Sequence, residues 1–265
     1  MAQNIEELLN QGHTGKLIKK LFDELSFSGD IPDYSELSRQ HDLEANRELQ
    51  NRQEENNNRL IRRNLVLNAE LQSSWDFSRM TICPANQDNV TKVCRFADSI
   101  CQGSNEETAP NLLISGTSCC GKSTLAGALA RKLIMQGKKV RFLNFSRYIN
   151  DLTKYRGSLH LKTVNQELFD SSLDVLILDD VTLSREYLTE AASGRLSGII
   201  RSRNISNRST VLVTSCQDIR SLRRKVGEYC FGGILDLKPR VVTLTSAQLK
   251  AVLNYRMEHS QLPTT

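Results

Sequence analysis

One stretch limits what this chain can become. Gly116-Thr117-Ser118-Cys119-Cys120-Gly121-Lys122-Ser123-Thr124 follows the apolar run Leu112-Leu113-Ile114 and opens a helix-like segment, Leu125 to Met135. A Gly-x-x-x-x-Gly-Lys-Ser motif between a strand and a helix is the P-loop context. Its glycines let the backbone curl so that N–H groups point inward at phosphate oxygens. The helix N-terminus adds partial positive charge at the same place. We expect Lys122 to reach the β- and γ-phosphates of a nucleotide, and the Ser123 hydroxyl to hold Mg2+. The residues from Gly116 to Thr124 are the expected nucleotide-binding set. The plain alternative is a glycine-containing turn that matches the pattern; the flanking strand and helix weigh against it.

A second apolar strand supplies the other half of such a site. Leu173-Asp174-Val175-Leu176-Ile177-Leu178-Asp179-Asp180 ends in two carboxylates. In an open parallel sheet, ligands bind at the carboxyl ends of strands. Asp179 is expected to face the P-loop and hold the Mg2+ shell. Asp180 is expected to orient or deprotonate the attacking water. The alternative is an acidic N-cap for the next helix. The strand Thr210-Val211-Leu212-Val213-Thr214-Ser215 has a polar end, where Thr214, Ser215 and Cys216 are candidates to touch the γ-phosphate or the water. Of these, Ser215 is taken as catalytic.

The remaining elements fit around these. Lys138 to Phe145 reads as a strand, and Arg240 to Leu244 as a last one. Residues 89–101 read as an amphipathic helix. Ser146 is expected to cap a helix carrying Tyr148, Ile149 and Leu152. Residues 185–203 read as helical. Strands that alternate with helices, and are apolar on both faces, imply an α/β domain with a parallel β-sheet flanked by helices. Ahead of it, residues 1–28 read as a helix with Leu17, Ile18, Leu21, Phe22 and Leu25 on one face. Tyr34 to Gln72 is polar, free of Pro and Gly, and thinly apolar. It reads as a long exposed helix weakest at Asn56-Asn57-Asn58, or else as a partly disordered linker. Trp75-Asp76-Phe77 marks the start of the body. The expected domains are therefore a small α-helical region over 1–75 and an ATP-binding domain over 76–265.

Charge divides the chain the same way. The net charge is +5. Residues 1–75 hold nine Lys/Arg against thirteen Asp/Glu, hence −4; the remainder holds 26 against 17, hence +9. An acidic front suits a protein partner and a basic body a phosphate backbone. Arg195, Arg201, Arg203, Arg208, Arg220, Arg223, Arg224 and Lys225 form a basic cluster. It reads as single-stranded nucleic acid contact, as a source of an arginine finger, or as a solvated basic face. The seven cysteines include no Cys-x-x-Cys pair, which argues against a disulfide framework and a structural zinc site. Cys119 and Cys120 inside the P-loop are possible sites of oxidative inactivation, or simply small residues that the loop tolerates. No apolar run reaches membrane-spanning length, and Met1 to Glu7 lacks a basic-then-apolar signal, so a cytoplasmic protein is expected.

The order of motifs has a counterpart. An aromatic start, GTSCCGKST, a Lys-Lys-Val strand with Ser-Arg-Tyr-Ile, Val-Leu-Ile-Leu-Asp-Asp, and Ile-Ile-Arg-Ser-Arg-Asn-Ile-Ser-Asn-Arg-Ser-Thr before Val-Leu-Val-Thr-Ser resemble the DnaC/IstB branch of AAA+ ATPases. The likeness is greatest to DnaC-type replicative helicase loaders and covers about residues 75–250. It implies an ATP- and Mg2+-dependent loader. Its N-terminal helices would grip a DnaB-type hexameric helicase. Its ATPase domains would self-associate as a spiral, and it would help place the helicase on single-stranded DNA during replication initiation, in a bacterium or a phage. Three departures stand out. The family's Asp-Glu is Asp179-Asp180 here, one methylene shorter at the water-activating position. Its Asn near sensor 1 is Thr214-Ser215-Cys216. Its Gly-Glu-Arg is Gly227-Glu228-Tyr229, and Ile234-Leu235-Asp236-Leu237 lacks the later arginine. Arg201, Arg203, Arg220, Arg224 and Arg240 remain as candidates for an arginine finger or DNA contact, and Lys250 for sensor 2. Nucleotide binding is thus better supported than turnover. The other readings are an IstB-type transposition helper on duplex DNA, a nucleotide-binding scaffold without turnover, and a small-molecule kinase, for which no acceptor pocket or lid is legible.

Overall fold

The computed structural model describes residues 34–102, 109–155, 158–182 and 188–260. The helix expected over 1–28 and the break after it lie outside the described residues. The chain divides into two compact units, Met1–Arg59 and Leu60–Thr265. Residues 60–75, which sequence reads with the front, pack with the second unit.

Helix α1 spans Tyr34–Leu67 and runs unbroken through Asn56-Asn57-Asn58. A run without Pro or Gly, rich in Glu, Arg, Gln and Leu on either side, favours the helix and carries it through the weaker asparagines. From Arg39 to Arg59, in the first unit, every residue is exposed, Leu43 and Leu49 by 62% and 55%.

The second unit is a five-stranded parallel sheet flanked by helices. Its elements run α2 (Gln87–Gln102), β1 (Leu112–Gly116), α3 (Lys122–Met135), β2 (Val140–Asn144), α4 (Phe145–Lys154), α5 (Leu159–Leu168), β3 (Val175–Asp179), α6 (Glu190–Ile205), β4 (Ser209–Val213), α7 (Ile219–Val226), α8 (Glu228–Asp236), β5 (Arg240–Leu244) and α9 (Ser246–Ser260). The strand order is β2-β3-β4-β1-β5, and every pairing is parallel. β1, β3 and β4 are buried along their whole length, as strands covered on both faces must be. Alternate residues serve opposite cores. Val175 and Ile177 join Phe96, Leu129 and Leu133 of α2 and α3 on one face. Leu176 and Leu178 join Phe145, Leu196 and Ile200 of α4 and α6 on the other. Each such side chain contributes about 1.5–3 kcal/mol.

Polar and aromatic contacts tie residues 60–75 to this body. β2 is an edge strand, and its outer side would present unpaired backbone groups. Asn68 covers them. Its Nδ2 donates to Val140 O at 2.8 Å, and its Oδ1 accepts from Phe142 N at 2.6 Å. Asn64 Nδ2 donates to Lys138 O at 3.0 Å. One amide side chain therefore bonds as a neighbouring strand would. Trp75 then lies on α3, where a Cβ built at Gly127 would fall 2.1 Å from the indole ring. Glycine at this helical position is the condition for seating the ring.

Candidate functional site

The carboxyl ends of β1, β3, β4 and β5 converge. β1 ends at Gly116, with φ +141°. Its register partner is Leu244, the last residue of β5, and a Cβ at Gly116 would stand 2.1 Å from Leu244 O. Gly121, with φ +88°, turns the loop into α3. Cys119 reaches φ +59° without being glycine. Cys119 and Ser118 are exposed. Cys120 is buried, its Sγ 2.9 Å from Thr117 O. Thr117 Oγ1 pairs with Ser246 Oγ of α9 at 2.9 Å. Lys122 is 9% exposed, and its Nζ donates to the Thr117 carbonyl. The loop is thus folded around its own lysine.

Ser123 Oγ donates to Asp179 Oδ1 at 3.1 Å, and Asp180 N donates to the same oxygen at 3.0 Å. Burial pushes the Asp179 carboxyl above the usual carboxylate range, against the opposing pull of these two donors. A buried carboxylate beside a hydroxyl, with no ion-pair partner among the described residues, is a hard-oxygen pair suited to a cation. The residues present fit Mg2+ held by Ser123 and Asp179 together with a nucleotide's phosphates.

Asp180 stands next to this pair in a left-handed backbone conformation, φ +54°. Ser146 Oγ is 2.8 Å from Asp180 O and 2.9 Å from its Oδ2. The cap of α4 is therefore not Ser146, as expected, but Asn144, whose side chain accepts from Arg147 N at 2.9 Å. That frees the Ser146 hydroxyl for the Asp180 carboxylate. At the end of β4, Thr182 Oγ1 lies 2.7 Å from Thr214 Oγ1 and 3.1 Å from Ser215 Oγ. Thr214 is buried, and Ser215 is half-buried.

Beside the P-loop opens a cavity of about 400 Å3. Trp75, Met80 and Thr81 line one side, Cys120, Gly121 and Thr124 the floor, and Leu249, Leu253 and Arg256 of α9 the other side. Arg256 Nε donates to Thr81 Oγ1 at 3.2 Å. Lys250, the sequence candidate on this helix, is exposed and lies outside that lining. Helix α9 is not among the elements expected from sequence, although its start is a capping box: Gln248 N donates to Thr245 Oγ1 at 3.2 Å and Thr245 N to Gln248 Oε1 at 3.0 Å. The Thr-x-x-Gln spacing, followed by Leu249, Val252, Leu253 and Arg256 on one face, carries that signal.

The candidate arginines separate. Arg203 is 2% exposed, and its guanidinium donates to Ser209 O at 2.8 Å and to the Leu173 and Asp174 carbonyls. These lie where β3 and β4 begin, at the far end of the sheet from the P-loop. Burial pushes Arg203 down to about 10, so it stays charged at neutral pH. Its guanidinium is buried against these carbonyls and is turned away from solvent. Arg240 opens β5 opposite Leu112, also at that far end. Arg201, Arg220 and Arg224 are not buried in this way; Arg220 and Arg224 lie on the exposed face of α7. Arg195 is held between the Tyr148 and Phe169 rings, with its Nε 2.9 Å from Tyr148 Oη.

Residues 18–228 match the family described as IstB-like ATP binding protein. The chain belongs to this family. A relative of this IstB-like chain, the replicative helicase loader DnaC of Buchnera aphidicola subsp. Schizaphis graminum, is 26% identical over 142 residues, 53% of this chain and 56% of that protein. The chain thus matches a little over half the length of that relative. Among solved structures, domain III of the replication initiation protein DnaA from Thermotoga maritima superposes with a TM-score of 0.56 at 16% identity, covering 73% of this chain and 78% of that one. A DnaC helicase loader does so with 0.51 at 19% identity, covering 63% and 94%. A DnaA bound to AMPPCP and single-stranded DNA gives 0.57 at 12% identity, covering 74% and 58%. At these identities the structural likenesses carry the fold, which is that of a P-loop AAA+ domain. No helix among the described residues is long and apolar enough to cross a membrane.

Proposed function

We propose that this IstB-like chain is an ATP-regulated loader for a DnaB-type hexameric replicative helicase, acting where the helicase is placed on single-stranded DNA. The observation that carries the reading is the run of α1 from Arg39 to Arg59, exposed at every residue, in a chain whose other unit is an ATP-binding body. A helix polar all round is held by i,i+4 pairs, such as Arg52–Glu48 here, rather than by a buried face, so its whole surface stays open to a partner. The DnaC relative is itself a helicase loader by name. In the body, P-loop N–H groups and Lys122 hold the phosphates. Ser123 and Asp179 would hold Mg2+, which would supply positive charge to offset that of the phosphates. Arg256 and the apolar face of α9 flank the cavity that takes the rest of the nucleotide. Asp180 and Ser215 would act on a water, with Asp180 bound to Ser146. Self-association on the helicase would bring Arg201, Arg220 or Arg224 of one copy toward the nucleotide of another.

The test is co-migration of the purified chain with a replicative helicase hexamer on a sizing column, with and without ATP and Mg2+. A complex that disappears when residues 1–59 are removed is expected. Absence of a complex in both conditions overturns the loader reading. The family match favours one second reading, an IstB-type transposition helper, which would instead assemble on duplex DNA. Lys122→Ala should abolish nucleotide binding under either reading, and retained binding would remove the P-loop assignment.

A further inference from the structure

We propose that α7, the Gly227 corner and Tyr229 form a stacking platform for single-stranded nucleic acid, with Arg201 as the bed beneath the tyrosine ring. This rests on the DNA-handling role proposed above and assigns it a surface.

Tyr229 is 67% exposed at the first turn of α8. The Arg201 guanidinium lies over its ring, 4.4 Å from the centroid. Arg201 is fixed in turn: its Nε is 3.3 Å from Ser197 Oγ, and its stem passes 3.9 Å from where a Cβ would stand on Gly233. The ring is therefore held from below by a cation–π contact. An exposed aromatic already ordered in this way loses little side-chain freedom when a base stacks on it.

Between its Asp218 cap and Glu228, α7 itself carries charge of one sign. α7 reads Ile219-Arg220-Ser221-Leu222-Arg223-Arg224-Lys225-Val226 and contains no acidic residue. Arg223 is neutralised by Glu228, with Nε–Oε2 at 2.6 Å and Nη2–Oε1 at 2.8 Å. No ion pair joins Arg220 or Arg224 to a carboxylate among the described residues, and both are exposed. Gly227, with φ +83°, sets α8 at a corner after α7, so that the tyrosine follows the basic turn directly. An ordered aromatic face beside such cations is the arrangement that tracks a flexible phosphate chain while stacking its bases. An acidic protein would use the cations but would gain little from the ring.

The experiment is fluorescence anisotropy of labelled oligo-dT with the full-length chain in ATP and Mg2+, repeated over a salt series. Tyr229→Ala should weaken binding by about tenfold, and Tyr229→Phe should restore it. Arg220→Gln with Arg224→Gln should flatten the plot of log affinity against log salt by about 0.7 for each phosphate no longer neutralised. Unchanged far-UV circular dichroism and melting temperature in each variant confirm that the fold is intact. Wild-type binding that Tyr229→Ala leaves untouched overturns the platform alone. No binding of oligo-dT by the wild-type chain overturns the DNA-handling role as well. Polyglutamate that displaces the oligo-dT and itself depends on Tyr229 assigns the surface to an acidic protein, which also overturns the proposal.

Discussion

One hydroxyl of Ser146 serves two oxygens of the same residue, the carbonyl and the carboxylate of Asp180. A non-glycine residue at φ +54° costs of order 1–3 kcal/mol, and such strain collects at working sites. Ser146→Ala removes the hydroxyl without touching the phosphate-binding groups. If Asp180 activates water, steady-state phosphate release should rise several-fold at unchanged nucleotide affinity; an unchanged rate would show that the contact does not restrain Asp180. Arg203 makes the opposite case, a charged side chain buried against backbone carbonyls. Arg203→Ala uncovers the Ser209, Leu173 and Asp174 carbonyls and leaves a void, so a loss of about 3 kcal/mol is expected in urea unfolding. Affinity for nucleotide and oligo-dT, measured on the folded variant, should stay as it was. From sequence alone Arg203 and Arg201 are indistinguishable, both set in Ile-Ile-Arg-Ser-Arg on one helix. Two positions along a helix turn the side chain by more than half a circle. One guanidinium meets the sheet and the other the Tyr229 ring, and only the helix's rotation decides which.

The elements that sequence reveals are those whose signal lies in apolar side chains. β1, β3 and β4 are continuous apolar runs because both faces are buried, and their polar or glycine ends mark the ligand edge of the sheet. The P-loop, Ser123 and Asp179 follow from motif and topology, and the structure brings the latter two to 3.1 Å. What stays hidden depends on polar contacts. The edge of β2 is covered by an asparagine, so the stretch around it carries few apolar residues and reads as linker. Residues 60–75 read as part of the front for that reason. Replacing the amide tests the point. Asn68→Ala would leave Val140 O and Phe142 N without their partner at a buried edge, and about 3 kcal/mol should be lost in urea unfolding. A loss below about 1 kcal/mol would mean that water serves the edge equally well. Helix α9 has a sequence signal, the Thr245-x-x-Gln248 capping box followed by Leu249, Val252 and Leu253 on one face, but that face meets a cavity rather than a core.

For the whole molecule, the position of the boundary decides which fragment stands alone. A chain starting at Leu60 keeps Asn64, Asn68 and Trp75, and should melt within a few degrees of the full chain and bind nucleotide equally. A chain starting at Asp76 bares the β2 edge and empties the seat on α3. It should melt well below the longer fragment and aggregate, which differential scanning calorimetry and light scattering would show. Equal melting of the two fragments would show that residues 60–75 add nothing to the stability of the body. The seat itself has a further consequence, for descent rather than for stability. Trp75 and Gly127 share one volume, since any side chain at 127 would begin inside the indole. A lineage can shrink the residue at 75 first, bear the void for a time, and then enlarge the residue at 127. The reverse order meets a clash at its first step. Replacement at this seam therefore has a direction, and two positions far apart in the chain cannot drift independently.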